Sequence, residues 1–359
     1  MSSRLLLMLV KPIRVLFTLL LALVGAALCV WLGTPLPWMI GPLLASACAS
    51  VAGAPTASWR PLGSAGQWVI GAALGLYFTP QVTVLVGSLW WAIVLAIAWA
   101  LLLGLGFGAW LHRVNARHMA SVPAPAMRAT SYFAGAIGGA SEMTLLAERA
   151  HARTDLVAAS HSLRLLLVTV TIPFAMQWSG LHGLDINPPV LRAVDAAGFA
   201  ALALATAAGA WLLQRLGRTN PWFMGPLLVA MGLTMAGVHL SGIPVWLTNA
   251  AQLLIAVGLG VRFSKSFLQA APRWMASVVL GTVVMLVLCS GFAALLAWAT
   301  GLPLATLVLG TSPGGIAEMA ITAKVLQLGV PVVTAFQVCR LVAVLLLVAP
   351  LYRWLYRTD

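Results

Sequence analysis

Long apolar segments separated by short polar links run along the whole chain. Residues 15–33, VLFTLLLALVGAALCVWLG, and residues 278–299, VVLGTVVMLVLCSGFAALLAWA, are two examples. Each is long enough, as a helix, to cross a hydrocarbon core of about 30 Å. The pattern predicts ten membrane spans in two groups of five. They cover residues 13–33, 38–54, 63–79, 87–111 and 155–178, and then 190–213, 221–238, 246–262, 275–299 and 330–351.

Composition agrees with this pattern. The 359 residues are 62% hydrophobic and 8% charged, with a mean hydropathy of +1.01, whereas soluble domains carry about 25% charged residues. We therefore predict an all-α polytopic membrane protein surrounded by a lipid bilayer. The net charge of +13 does not indicate a nucleic-acid partner, because Lys and Arg are spread through short links and form no basic face.

The chain contains an internal repeat, which is the first feature to seek in a long sequence. Three motifs return in the same order: PWMIGPLL (37–44) as PWFMGPLL (221–228), GQWVIGAALGLYF (66–78) as AQLLIAVGLGVRF (251–263), and GGASEM (138–143) as GGIAEM (314–319). We predict two membrane repeats, one over residues 1–184 and one over residues 185–359.

The distribution of basic residues predicts the orientation of the repeats. If both termini are cytoplasmic in the inner (plasma) membrane of a bacterium, the links at 179–189 and 300–303, which lack Lys and Arg, lie outside. This arrangement favours residues 129–147 and 305–325 as re-entrant segments, with a full crossing as the alternative. Five spans and one re-entrant or broken helix in each repeat make the copies inverted. That architecture is typical of secondary transporters, which bind substrate near the midplane.

The two glycine-Glu-Met motifs hold the main candidates for binding chemistry. Glycine and proline permit tight turns, and glycine tolerates positive φ, so the backbone can break within the membrane. A helix that restarts there favours a negative charge in its first turn. Carboxylates inside a membrane usually mark ion or substrate paths, although each could merely cap its own helix. The candidates are Gly138, Gly139 and Glu142 in the first copy, and Pro313, Gly314, Gly315 and Glu318 in the second.

A buried arginine follows each of these glutamates at the same spacing, Arg164 after Glu142 and Arg340 after Glu318. Both lie near the middle of a predicted span, where the guanidinium requires a carboxylate, a substrate anion or a ring of carbonyls. One interpretation is a structural Glu–Arg pair in each half. The other is that Arg fixes an anionic group while Glu carries a coupling proton or contributes to a sodium site.

Three further polar residues are weaker candidates. Gln67 and Gln252 match between the copies, and could line the path or join helices by hydrogen bonds. His161 occupies the position that Gln337 holds in the second copy, three residues before the arginine, which makes it a possible proton group.

These motifs and their duplication resemble the AbrB membrane-protein family of Gram-negative bacteria, over nearly the whole chain. The first copy departs from the pattern at Ile137, where the second has Pro313. The family has been labelled both ammonia monooxygenase and AbrB transcriptional regulator. By wider similarity it belongs with the cation:proton antiporter and anion transporter superfamily. The resemblance implies a scaffold domain and a mobile core domain with an elevator-like motion, in a homodimer.

Taken together, we expect an ion-coupled secondary transporter of a small anionic organic substrate, using Glu and Arg pairs at mid-membrane broken helices. No cofactor is expected beyond H⁺ or Na⁺ as coupling ion. We expect no enzyme, because a copper oxygenase needs clustered His ligands and the six His are scattered. A DNA-binding regulator would need a soluble domain with a basic reading element. The alternative is a membrane-embedded regulator that acts on gene expression through a partner.

Overall fold

The computed structural model describes residues 3–119, 122–181, 194–218, 220–263 and 271–356. Within these ranges every regular element is a helix, and fifteen helices are present. The predicted all-α class is confirmed. The start of the sixth predicted span, residues 190–193, lies outside the described residues.

The helices follow the two predicted repeats. The first repeat holds α1 (Ser3–Trp31), α2 (Pro37–Val51), α3 (Arg60–Gly75), α4 (Pro80–Ser88), α5 (Trp90–Asn115), α6 (Ala124–Gly135), α7 (Ala140–Arg149) and α8 (Thr154–Ser179). The second holds α9 (Ala196–Arg215), α10 (Pro221–Met235), α11 (Val245–Gly260), α12 (Pro272–Thr300), α13 (Leu304–Thr311), α14 (Ile316–Val325) and α15 (Val330–Leu355).

A helix lies at each of the ten predicted spans, but the helices differ in length. Six of the described helices are long and apolar enough to cross a membrane, namely α1, α5, α8, α9, α12 and α15. Helices α2, α10 and α11 have 15, 15 and 16 residues, or about 22–24 Å at 1.5 Å per residue. Helices α3 and α4 form a pair bent by 89°. The protein is a multi-pass membrane protein whose spans are uneven in length.

The chain forms two compact units, and each unit takes its helices from both repeats. The first unit comprises residues 1–84 and 185–269, and the second comprises residues 85–184 and 270–359. The first therefore contains α1–α3 and α9–α11, and the second contains α5–α8 and α12–α15.

Glycine pairs bring helices of the first unit close together. A Cβ atom at Gly41 would collide with the backbone of Gly25, and one at Gly225 with the backbone of Gly209. Gly41 and Gly225 occupy the same position in the two copies of the PW-x-x-GPLL motif. Small residues allow the backbones of membrane helices to approach closely. The same close packing therefore occurs between α1 and α2 in one copy and between α9 and α10 in the other.

Candidate functional site

The second unit contains two interrupted helices at the glycine-Glu-Met motifs. Helix α6 ends at Gly135 and α7 begins at Ala140, while α13 ends at Thr311 and α14 begins at Ile316. Each interruption has four residues, 136–139 in the first break and 312–315 in the second. The predicted broken helix in each repeat is thus observed, and the choice between re-entrant and crossing segments stays a prediction.

In the first break, each glycine of the pair makes room for one side chain of the Glu-Met. A Cβ at Gly139 would overlap the carboxylate of Glu142, and a Cβ at Gly138 would lie 2.8 Å from Cε of Met143. Gly139 has φ −67°, so it does not supply a positive φ. At this position glycine provides space for the Glu142 side chain.

The second break repeats this arrangement. A Cβ at Gly315 would overlap the carboxylate of Glu318, and a Cβ at Gly314 would lie 2.8 Å from Cγ of Met319. Gly315 also has a negative φ, −77°. The Ser312 hydroxyl donates to Sδ of Met319 at 3.1 Å. Both methionines are fully buried, so the thioethers hold the two breaks in the same folded shape.

Both glutamates lie in the first turn of the helix that restarts after the break, and both are half-buried. The carboxylates of Glu142 and Glu318 fold back over the glycine at the N-cap of their own helix. A glutamate at this position reaches back in the same way in a capping box, and the helix N-terminus favours its negative charge. Both glutamates thus occupy the position of a capping glutamate, and such a carboxylate can also accept a proton or a cation.

In the first half, Arg164 and His161 bind the carbonyl end of α6. Arg164 is 2% exposed, and its Nη2 donates to the carbonyl of Ala136 at 2.9 Å and to Nδ1 of His161 at 2.7 Å. Nε2 of His161 lies 2.9 Å from the carbonyl of Phe133. Since a carbonyl can only accept, Nε2 carries the proton and Nδ1 is the acceptor. His161 is therefore a neutral imidazole that links Arg164 to the last turn of α6.

In the second half, Arg340 and Gln337 bind the carbonyl end of α13. The two Nη atoms of Arg340 donate to the carbonyls of Ser312 and Gly314, the second at 2.7 Å. Nε2 of Gln337 donates to the carbonyl of Leu309 at 2.7 Å and also reaches the carbonyl of Ser312 at 3.2 Å. Both side chains are buried. Among the described residues, each break thus receives three side-chain N–H donor atoms, which make three contacts with carbonyls at the first break and five at the second.

The sequence left three kinds of partner open for the arginines: a carboxylate, a substrate anion or a ring of carbonyls. In the structure both arginines donate to backbone carbonyls. The carbonyl end of a helix carries a partial negative charge, so a guanidinium there is stabilised. Among the described residues the ion pair is Arg153–Asp155, at 2.7 Å, and this hydrogen bond raises the pKa of Arg153. Both arginines are buried in the second unit. In both arginines Nε is buried without a hydrogen-bond partner among the described residues.

The two candidate glutamines belong to the first unit, unlike the other site residues. Gln67 in α3 is half-buried, and Gln252 in α11 is 4% exposed. Helices α3 and α11 pack together, and a Cβ at Gly66 would lie 2.8 Å from the carbonyl of Ala251. The structure therefore places the glutamines beside one helix crossing of the first unit and does not bring them into the network around the breaks.

An aromatic cluster beside the first break was missed by sequence reasoning. It contains three of the four tyrosines of the chain, Tyr132, Tyr352 and Tyr356, together with Phe133. The Tyr132 hydroxyl donates to the carbonyl of Val348 at 2.8 Å. The cluster joins the end of α15 to the last turn of α6. Its members lie too far apart in sequence for any local pattern to reveal the contact.

In the described ranges, no group of three or more His, Cys, Asp and Glu side chains could hold a metal ion. The polar groups described at the two breaks include two half-buried carboxylates, two buried guanidiniums and the backbone carbonyls that the guanidiniums contact.

A family model described as transition state regulatory protein AbrB matches residues 38–356. The chain belongs to the AbrB family. A Bacillus subtilis (strain 168) relative named "Uncharacterized protein YhjN" is 25% identical over 351 residues, covering 90% of this chain and 88% of the relative. An Escherichia coli (strain K12) relative named "Putative regulator AbrB" is 26% identical over 316 residues, covering 87% of this chain and 88% of the relative. No solved structure matches.

The family assignment confirms the resemblance found in the sequence motifs. One relative is named as a putative regulator and the other as an uncharacterized protein, and neither name mentions a substrate.

Proposed function

We propose that this AbrB-family protein is an ion-coupled secondary transporter of a small anionic organic substrate. The observation that carries the proposal is the pair of matching helix breaks in one compact unit. Each break has a half-buried glutamate on one side and a buried arginine on the other. Interrupted helices with free backbone groups are the usual binding sites of transporters built from inverted repeats.

The arginines give the site its preference for anions. Two buried guanidiniums in one unit create a positive potential in a region of low dielectric constant, where charge interactions are strong. Carbonyl dipoles offset part of each charge but carry no full negative charge. An anionic group near Arg164 and Arg340 would complete the neutralisation.

The glutamates are the proposed ion-coupling groups. Glu142 and Glu318 are half-buried and titratable, and each lies in the first turn after a break. Protonation or sodium binding at either carboxylate would change the charge next to the anion site. This link between the ion and the substrate is what coupled transport requires. The proposal includes a homodimer in the bacterial plasma membrane with both termini in the cytoplasm, and no enzymatic activity.

Proteoliposomes test the proposal directly. A trapped pH indicator reports proton movement when a panel of membrane-impermeant carboxylates is added outside, with and without a sodium gradient. We expect saturable proton or sodium-dependent flux for part of the panel. Protein-free liposomes provide the background. A protein that acts as a regulator through a partner, as the name of the E. coli relative suggests, would show no flux with any anion or gradient.

Glu142→Gln and Glu318→Gln separate coupling from helix capping. Gln keeps the size of the side chain and its hydrogen bonding but cannot titrate. We expect both variants to fold and to lose most of the coupled flux. Wild-type flux with an unchanged pH dependence in both variants would leave the carboxylates as helix caps. Glu148→Gln is the matched control, because Glu148 lies on the exposed face of α7.

A further inference from the structure

Two polar atoms at the second break are buried and have no partner among the described residues. They are the side-chain carbonyl Oε1 of Gln337 and the Nε–H of Arg340. Gln337 is 0% exposed and Arg340 is 6% exposed. An unmatched acceptor and an unmatched donor in such a place each cost free energy, so they call for a partner.

The two atoms belong to side chains that meet at one point. Nε2 of Gln337 lies 3.2 Å from the carbonyl oxygen of Ser312, and Nη1 of Arg340 donates to the same oxygen. The orientation of the Gln337 amide is fixed, because its NH₂ group faces the carbonyls of Leu309, Gly310 and Ser312. The unmatched Oε1 therefore cannot be exchanged with Nε2 by an amide flip without placing oxygen against oxygen.

At the first break, the position that corresponds to Gln337 offers no such acceptor among the described side chains. His161 stands at the position of Gln337, and its Nδ1 already accepts a hydrogen bond from Arg164. The two halves hold their breaks in the same way but differ in this one atom. Because of this difference, the second break can accept a hydrogen bond from a donor group on a ligand.

We propose that Gln337 is a specificity-determining residue, which selects an anion that carries a hydroxyl group beside its carboxylate. The carboxylate accepts from Nε–H of Arg340, and the hydroxyl donates to Oε1 of Gln337. This inference rests on the proposed function, since it assigns a substrate class to that site: hydroxycarboxylates in preference to the same acids without the hydroxyl. A site built to bind a hydroxyl discriminates strongly against the analogue that lacks it, because its polar atoms are then left unpaired.

Binding to the purified full-length protein in detergent tests the inference without transport. Thermal unfolding is followed while malate or succinate, and separately lactate or propionate, is titrated. The members of each pair differ by one hydroxyl. We expect the hydroxy acid to stabilise the protein with an apparent affinity at least tenfold higher than its partner. Equal affinities within both pairs, or no stabilisation by any of the four acids, would overturn the inference.

Gln337→His is the decisive variant, because it copies the residue of the first half. Histidine can donate to the carbonyl of Leu309 as His161 donates to that of Phe133, and its Nδ1 can accept from Arg340. The fold should therefore persist while the free acceptor disappears, and the preference should fall below about threefold. His161→Gln is the matched variant in the other half and should keep the preference. A preference that survives Gln337→His, or that disappears in His161→Gln alone, would overturn the assignment to Gln337.

The flux assay distinguishes the two proposals. Malate and succinate that bind equally and drive equal flux would overturn the hydroxyl selectivity and leave the transporter intact. Selective binding of malate with no flux for any anion would leave the selectivity intact and overturn the transporter.

Discussion

His161 and Gln337 perform the same structural task in the two halves of the protein. Each donates a side-chain N–H to the carbonyl 28 residues before it, His161 to Phe133 and Gln337 to Leu309. Each lies three residues before a buried arginine. The two side chains differ in that only the imidazole can gain a proton, so the halves are matched in shape and unequal in chemistry.

This difference predicts unequal behaviour of the two arginines. Protonation of His161 would remove the acceptor that Arg164 uses, and the two positive charges would repel. His161→Gln or Arg164→Lys should therefore move the pH optimum of flux. Arg340→Lys keeps the charge but loses the planar fork that reaches two carbonyls, so it should weaken apparent affinity with little change in pH profile. The measurement is the flux as a function of pH for the three variants. If the three pH profiles are parallel, His161 has only a packing role.

The glycine pairs predict a rescue experiment. Gly314→Ala places a methyl group 2.8 Å from the Met319 side chain, and overpacking of this kind costs about 1–3 kcal/mol. Met319→Ala in the same chain removes the side chain that causes the collision, so the double variant should recover part of the lost thermal stability. Gly106→Ala is the control, because nothing lies within 4 Å of its Cβ position. If the loss of stability in the double variant equals or exceeds the sum of the losses in the two single variants, Gly314 does not serve to make room for Met319.

The sequence predicted much of the fold because the signals are local. Apolar length predicted the helices, a glycine pair marked both breaks, and Pro313 also marked the second. It did not predict why the glycines are there, since the space for Glu142 and Met143 depends on how these side chains turn back after the break. It left the partners of Arg164 open, because the carbonyl of Ala136 lies 28 residues away in sequence. The recurrence of Glu-Met in both motifs was the available signal for Met143 and Met319.

The division of the chain into two compact units could not be predicted from the sequence either. The motifs show where one repeat ends and the next begins, but packing joins corresponding parts of both repeats. Gln67 and Gln252 were grouped with the site because they match between copies. Their place in the first unit follows from the packing of α3 on α11, which no linear pattern records.

The Tyr132 hydroxyl provides a test of the link between α15 and the first break. Tyr132→Phe keeps the ring contacts with Tyr352 and Tyr356 and removes the hydrogen bond to the carbonyl of Val348. We expect a loss of about 0.5–1.5 kcal/mol in stability, read as a lower unfolding temperature in detergent. Tyr77→Phe is the control outside the cluster. If the two variants unfold at the same temperature, the hydroxyl contributes nothing to holding α15.

The path of the first interrupted helix through the membrane can be read from two positions, His118 and Leu181. Both are exposed, one after α5 and the other after α8, with α6, α7 and α8 between them. If α6 and α7 form a re-entrant segment, only α8 crosses and the two positions lie on opposite sides. If they cross, the positions lie on the same side. We expect opposite sides, with Leu181 outside, because links without Lys or Arg are found there.

His118→Cys and Leu181→Cys are made singly in a chain without its four cysteines, and intact cells are treated with an impermeant maleimide. Labelling of Leu181→Cys alone supports the re-entrant path, provided that a permeant maleimide labels both. If the impermeant reagent labels neither position, or labels both, the two positions lie on the same side and the broken helix of the first copy spans the membrane.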